Sequence, residues 1–376
     1  MSNVRPGGPG PEGTEPPDSR NPNEPVTITE NLMRFTTYVV TVIAVLATAS
    51  LAQAITTTGW TEYNPNPVYS PGKAYYPSIL KEGSAYTLWS DYASSGGVEK
   101  VTSADGVNWT TAGACSGLTS PRHTVVEKVG SEYRMWYWQA SHLYSIADIR
   151  TATSADGLAW SNDQVITQVA STVIDNSSSS NWNRGSYGPA DVIYNPDGSD
   201  TIVEPVNEAS VWANKFVMYY DGTTGGDESI GLAVSNDGVN WQGYNGGVAP
   251  VLAGTSGTDD WDEGYVSRCT VIMEDADTYH MWFSGGVGTM DAGIGYASSA
   301  DGITWTRDAT NPIFHKDDGE DWRSSRTYCP VVIGDEMWFT GKSGTGTYAM
   351  GYATPEPATL SLLALGGLAL VRRRRT

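Results

Sequence analysis

Cysteine, histidine, phenylalanine and positive charge are all scarce in this chain of 376 residues: 3 Cys, 4 His, 5 Phe, and 22 basic side chains against 42 acidic ones. Each shortage excludes something. Three cysteines cannot build a disulfide framework, and at most one bridge is open to them. His123, His142, His280 and His315 are isolated, with no HExxH and no Cys-x-x-Cys, so the sequence assigns no metal site. A formal charge of −20 repels a phosphate backbone and excludes nucleic acid as a partner. Charged residues make up 17% of the chain without long runs of Ala, Leu, Glu and Lys, which is not the composition of a helical bundle. What is plentiful is 42 Gly, 20 Pro, 14 Trp and 21 Tyr. Turn formers and aromatics in these amounts predict an all-β chain, with amphipathic rings suited to a core or to sugars.

Both ends read apart from the body. Residues 1–25 hold seven Pro and four Gly and no aromatic, too little apolar surface to offset the entropy of ordering. Residues 1–32 are therefore expected to be disordered or to precede the true start, because a leader begins at Met33. Arg34 is a basic n-region, Tyr38 to Ala49 an apolar run, and Ala52-Gln53-Ala54 a small-x-small cleavage site. This is the plan of a secretory signal peptide over 33–54, the run falling short of the roughly 20 residues of a membrane span. At the other end Pro355-Glu356-Pro357-Ala358-Thr359 precedes an apolar stretch from Leu360 to Val371 and the basic stop Arg372 to Arg375. Residues 355–376 thus resemble the PEP-CTERM sorting signal of Gram-negative bacteria. The resemblance implies export, recognition by an exosortase-type membrane enzyme, removal of the tail and delivery to the cell surface or extracellular matrix. The membrane would be met only transiently, through the short C-terminal helix.

Between these ends, residues 55–354 repeat. Ser103 to Trp109 (SADGVNW), Ser154 to Trp160 (SADGLAW), Ser235 to Trp241 (SNDGVNW) and Ser299 to Trp305 (SADGITW) share one pattern. Asp-Gly reads as a hairpin turn, since Gly tolerates positive φ and Asp hydrogen-bonds nearby backbone. Five aromatic strands, including YRMWYW at 133–138 and YHMWF at 279–283, each follow a short apolar strand. Four strands per repeat predict a propeller blade, and five repeats predict five blades. The fifth repeat stops after Thr354, but Trp60 to Tyr69 parallels Trp305 to Phe314, with Asn-Pro starting six residues after Trp in both. The N-terminal strand is therefore expected beside residues 336–353, closing the last blade and leaving no long bare edge.

The Asp-Gly hairpins should be architecture, and a site should lie on the opposite face. There Trp182, Trp261 and Trp322 each stand eight residues before an inner strand, next to Arg and carboxylate side chains. Such a Trp either stacks on a sugar ring or wedges the fold, and threefold repetition favours the wedge. The insertion from Asp200 to Asn214, with Glu204, Glu208 and Trp212, is expected to overhang this face. The order of apolar strand, Tyr-x-Met-Trp-Phe, Ile-Gly-Tyr-Ala, Asp-Gly-x-x-Trp and Asn-Pro-Ile resembles the five-bladed propellers of the arabinanase, levansucrase and invertase superfamily, which includes glycoside hydrolase family 43. Sialidase Asp boxes differ, carrying one more residue between Asp and Gly.

The resemblance implies hydrolysis of a poly- or oligosaccharide by an acid and a base carboxylate around an axial pocket. Acids expected where the inner strands begin are largely replaced: the pairs are Tyr76-Pro77, Arg122-His123, Pro189-Ala190, Arg268-Cys269 and Cys329-Pro330. Asp191 lies one position on, and Glu263, Asp262 and Asp91 are the next catalytic candidates, from loops. Arg122, Arg184, Arg268 and Arg326, with Tyr76, Tyr328 and His123, form a candidate binding set that favours an acidic sugar, Arg122 and Arg268 being expected at matching positions. Non-catalytic glycan binding or a structural matrix role is the alternative. Asp317-Asp318-Gly319-Glu320-Asp321 is at most a weak Ca²⁺ site, with a solvated turn favoured. Cys269 and Cys329 fall on neighbouring inner strands, one position out of register.

Overall fold

The computed structural model describes residues 57, 59–72, 74–92, 97–139, 149–168, 182–183, 185–223, 227–255, 260–288 and 290–355. The expectations for residues 1–54, for His142 and Arg184, and for Glu356, Pro357 and the tail lie outside these.

The described chain is almost entirely strand and turn. Tyr75–Glu82, Ala85–Tyr92, Gly97–Ser103 and Trp109–Ala114 form one antiparallel sheet, and Pro121–Val129, Glu132–Gln139, Ile149–Ser154 and Ser161–Val165 form the next. A third unit runs Gly185–Tyr194, Phe216–Thr223, Glu228–Ser235 and Asn240–Gly243, and a fourth runs Gly264–Asp275, Thr278–Val287, Met290–Ser299 and Thr306–Arg307. These two join into one larger sheet through a parallel bridge between Glu228 and Tyr265. The last unit is Arg326–Ile333, Glu336–Lys342 and Tyr348–Pro355, on whose outer edge lies the N-terminal Trp60–Glu62.

That N-terminal pairing follows the Asn-Pro parallel. Trp60 stands opposite Pro355 and Glu62 opposite Ala353. Asn66 then holds the Tyr352 backbone from both sides, accepting its N–H at 3.0 Å and donating to its carbonyl at 3.0 Å. Asn311 does the same to Tyr296, at 2.8 Å in both directions. A side-chain amide replaces two ladder bonds at the place where proline, lacking an N–H, cannot continue the ladder.

The Asp-Gly repeat ties units together. In the first copy the Ser103 hydroxyl accepts the Gly106 N–H at 2.9 Å and Asp105 accepts the Asn108 N–H at 2.7 Å, and the other three copies repeat the pattern. The glycine carbonyl then accepts a proton from an aromatic of a neighbouring unit: Trp89 to Gly157, Trp136 to Gly238, Tyr219 to Gly302, and Trp338 of the last unit to Gly106 of the first, at 2.6–2.8 Å. Gly106 has a φ of +73°, and a Cβ there would stand 2.8 Å from the Trp338 ring. Glycine is needed both for the turn and for the approach. The apolar cores sit between units; one, for example, joins Ile79, Leu88 and Val101 to Trp338 and Met350. The inner strands, which open each unit, neighbour one another in chain order, with Arg326–Ile333 also against Tyr75–Glu82.

The insertion at 200–214 is placed differently from expectation. Trp212 stacks on Tyr279 and donates to the Asp301 carbonyl at 2.7 Å, so the insertion packs on the Asp-Gly hairpin of the fourth unit rather than over the opposite face. An indole ring covering a hairpin glycine, as Trp212 covers Gly302, is the same packing the aromatic strands use elsewhere.

Candidate axial site

The five inner strands surround one cavity of ≈ 490 Å³. Each strand has a bulge at the same height, between Tyr75 and Ser78, Arg122 and Val125, Pro189 and Asp191, Ser267 and Thr270, and Tyr328 and Val331. Inside four of these bulges a side-chain-bearing residue adopts left-handed backbone: Tyr76, His123, Arg268 and Cys329, with φ between +41° and +53°. Non-glycine residues in this region cost of order 1 kcal/mol or more each, and such strain gathers at sites. These residues form the cavity mouth. The register corrects one expectation: Arg268 is matched by His123, not by Arg122, since each stands two residues before the point where pairing resumes, at Thr270 and at Val125.

Strained amides are braced from the neighbouring unit. The His123 N–H donates to Asp91 Oδ2 at 3.3 Å, the Arg268 N–H to Asp221 Oδ1 at 2.9 Å, and the Cys329 N–H to the Ser284 hydroxyl at 2.9 Å. Asp91, Asp221 and Ser284 hold equivalent ladder positions on second strands, opposite Tyr75, Gly188 and Ser267. In the bulge of Gly185–Tyr194, Pro189 has no N–H, and there Trp138 stands at the bracing position of the unit before. One layer below, Asp191 braces again: its Oδ2 accepts the Val271 N–H of the next inner strand at 2.7 Å and its Oδ1 accepts the Val192 N–H at 2.9 Å. Ser78 does the same for Val126 at 2.9 Å. Burial pushes both Asp91 and Asp191 up to about 7.

At the mouth, the Tyr76 ring lies 3.8 Å from the His123 ring and 5.9 Å from Tyr328, with the Arg268 guanidinium 4.8 Å from its centroid. Tyr76 therefore reaches from the first unit to the fourth across the axis. Arg268 is buried and ion-paired with fully buried Asp221. Around this plug are Arg122, 3.8 Å from Asp91, and Arg326, 3.2 Å from Asp291, both partly exposed. Tyr75 and Tyr348 stack at 3.7 Å beside them, and Lys342 lies 5.1 Å from the Tyr348 centroid. Of the binding set named from sequence, Tyr76, His123, Tyr328, Arg122, Arg268 and Arg326 come together here.

The three loop tryptophans go elsewhere. Trp182, Trp261 and Trp322 stack on Tyr220, Phe283 and Phe339 and fill notches cut by glycine pairs, Gly222 with Gly231, Gly285 with Gly295, and Gly341 with Gly351. A Cβ at any of these six glycines would stand 2.2–2.7 Å from the indole. They are wedges. Asp262, 1% exposed, accepts from Arg307 at 2.8 Å and from Thr255 at 3.0 Å, and neither Asp262 nor the adjoining Glu263 lines the axial cavity.

Neither Glu228 nor Asp291 stands in the catalytic set named from sequence. Glu228 is 7% exposed and Asp291 3%. Burial, then the charge of Asp291, pushes Glu228 up to about 8, and burial raises Asp291 against the pull of Arg326. Tyr265 and Ser267 beside Glu228, and Tyr265 beside Asp291, pull the two carboxyls the other way by hydrogen bonding. The available signal was position: Glu228 opens the third strand of its unit, directly after the loop from the second strand. Among the described residues no group of three or more His, Cys, Asp or Glu side chains is arranged to hold a metal ion. Cys115, Cys269 and Cys329 are thiols rather than disulfides, the last two buried.

Comparison with known proteins gives three results. Residues 353–375 match the family described as the PEP-CTERM protein-sorting motif. No curated protein matches the chain. Solved structures do match. One, titled for the GH130 family of mannoside phosphorylases and its glycoside hydrolases that target β-1,2 mannosidic linkages in Candida mannan, is 15% identical with a TM-score of 0.54, covering 81% of this chain and 98% of that one. A putative glycoside hydrolase from Parabacteroides distasonis is 13% identical with a TM-score of 0.54, covering 81% and 98%. A thermostable family-43 glycoside hydrolase is 18% identical with a TM-score of 0.51, covering 78% and 91%. The chain thus carries a PEP-CTERM sorting motif behind a body that shares the propeller fold of GH130- and GH43-type glycoside hydrolases.

Proposed function

We propose that this is an exported, surface-directed five-bladed propeller, its last blade completed by Trp60–Glu62, that binds an acidic poly- or oligosaccharide at the mouth of the axial cavity without cleaving it. The observation that carries the reading is the mouth itself. Rings from Tyr75, Tyr76, Tyr348 and His123 gather there with the part-exposed guanidinium groups of Arg122 and Arg326. Aromatic faces pack on sugar C–H groups, and arginine forks match carboxylates. Hydrolysis would need two carboxylates turned toward the glycan. Asp91 and Asp191, named for that role from sequence, instead accept backbone amides of the next unit, and Tyr76 spans the axis above Asp191. Export follows from the sorting motif at 353–375, and an exosortase-type enzyme is its processing partner.

One observation favours cleavage as a second reading. Glu228 and Asp291 are buried carboxyls of raised affinity for protons, next to Arg326 at the mouth. A pair of this kind is how an acid and a base are separated in glycosidases. The test is incubation of the protein with a mixed library of neutral and uronate-bearing oligosaccharides, with mass spectrometry of retained and of new species. Retention of uronate-bearing glycans at unchanged mass is the expected result. New shorter products, lost on Glu228→Gln or Asp291→Asn, would replace binding by hydrolysis.

A further inference from the structure

Below the Tyr76 ring the axial cavity has a wall that glycan binding at the mouth leaves unused. Its next layer is Ser78, Val125, Asp191, Thr270 and Val331, the residues that pair with the buried aromatics Trp89, Trp136, Tyr219, Trp282 and Trp338. Two residues further along each strand comes a ring of Leu80, Glu127, Ile193, Ile272 and Ile333. A lone carboxyl thus stands in an otherwise aliphatic ring, and a second, Asp191, stands one layer above it on the adjacent inner strand. Among the described residues neither forms an ion pair. The cationic side chains in the wall are engaged elsewhere: Arg268 with Asp221, and Lys81, at the far end, with Glu336 at 2.6 Å.

An uncompensated carboxylate in an apolar enclosure is costly, and such groups are met paired or protonated. Burial, then the charge of Asp191, pushes Glu127 up to about 8. The far end reaches solvent, since Lys81 and Met273, at 48% exposure, are both wall residues and both exposed. The enclosure is of ligand size.

We propose that the axial cavity is a binding site for a primary aliphatic ammonium, entering from the Lys81 and Met273 end. Asp191 and Glu127 accept hydrogen bonds from the head, and Leu80, Ile193, Ile272 and Ile333 take the hydrocarbon chain. The site is separate from the mouth and does not rest on the glycan reading.

The test is isothermal titration calorimetry of the full-length protein at pH 9, where an alkylammonium is still charged, with a pKa like that of lysine at about 10.4. Hexylammonium chloride, 1-hexanol and sodium hexanoate have the same chain and differ in the head. We expect saturable one-to-one binding of hexylammonium, at least tenfold weaker binding of hexanol and none of hexanoate. Glu127→Gln, which keeps the size of the side chain, is expected to weaken hexylammonium at least tenfold. Hexanol binding as tightly as hexylammonium, hexylammonium giving no heat, or Glu127→Gln binding as well as the parent would each overturn the proposal. The three probes on the unmodified chain decide it even if the variant does not fold.

Discussion

Single residues carry two different messages in this protein, and spacing alone does not separate them. Trp182, Trp261 and Trp322 recur at a fixed distance from an inner strand, which reads equally as a ligand platform or as a wedge. The difference lies in Gly222, Gly285 and Gly341 and in their partners one strand over, which are cut away so that an indole fits. Removing a wedge leaves a cavity, so Trp322→Ala should cost about 3 kcal/mol in urea unfolding. Adding bulk should also cost: Gly295→Ala places a methyl 2.7 Å from both Phe283 and Trp261 and is expected to destabilise by about 1–3 kcal/mol. Unchanged unfolding midpoints in both would return these tryptophans to the surface. Arg268 is likewise structural as well as central, because it neutralises fully buried Asp221. Arg268→Ala should cost about 3–5 kcal/mol by the same assay, much of it the burden of an unpaired charge. The left-handed backbone of Tyr76, Arg268 and Cys329 had no signature in sequence, since none of the three is a residue that favours positive φ.

At the scale of elements, the strand order, the Asp-Gly hairpins and the edge position of the N-terminal strand were all legible, because each depends on a local pattern repeated several times. Trp60 and Trp305 start matching segments, and Asn66 and Asn311 do matching work on Tyr352 and Tyr296. Asn66→Ala and Asn311→Ala should therefore each cost about 1–3 kcal/mol, and by similar amounts, when their thermal unfolding is compared. A neutral Asn66→Ala beside a costly Asn311→Ala would mean that the N-terminal strand contributes little to its sheet. What the pattern did not reveal was register at the mouth. Arg122 pairs with Trp138 and Ser267 with Ser284 as the last pairs before their bulges, so His123 and not Arg122 shares the position of Arg268, and the strand sequences carry no mark of where pairing breaks. Nor could alternation tell that Asp91 and Asp191 face an amide of the next unit, as these contacts join residues 32 and 80 positions apart.

For the whole molecule, the buried carboxyls set a direction for stability against pH. Asp91 and Asp191 are raised to about 7 and Glu127 and Glu228 to about 8, against roughly 4 in an unfolded chain. The folded state then binds more protons than the unfolded state between about pH 4 and pH 8, so stability falls as pH rises through that window. Melting temperature should be higher at pH 5.5 than at pH 8.5, and Glu127→Gln should flatten part of the slope. A rising melting temperature over the same range would contradict the burial of these groups. In the proposed function the rim around Tyr76 is where glycan is held. The most direct test is calorimetry of one captured uronate-bearing oligosaccharide against the parent protein and Arg122→Ala, Arg326→Ala and Tyr348→Ala, with melting temperatures recorded alongside. A loss of tenfold or more in affinity for each variant, with each still folded at the temperature of the titration, is the predicted result; unchanged affinity across all three would place the glycan elsewhere.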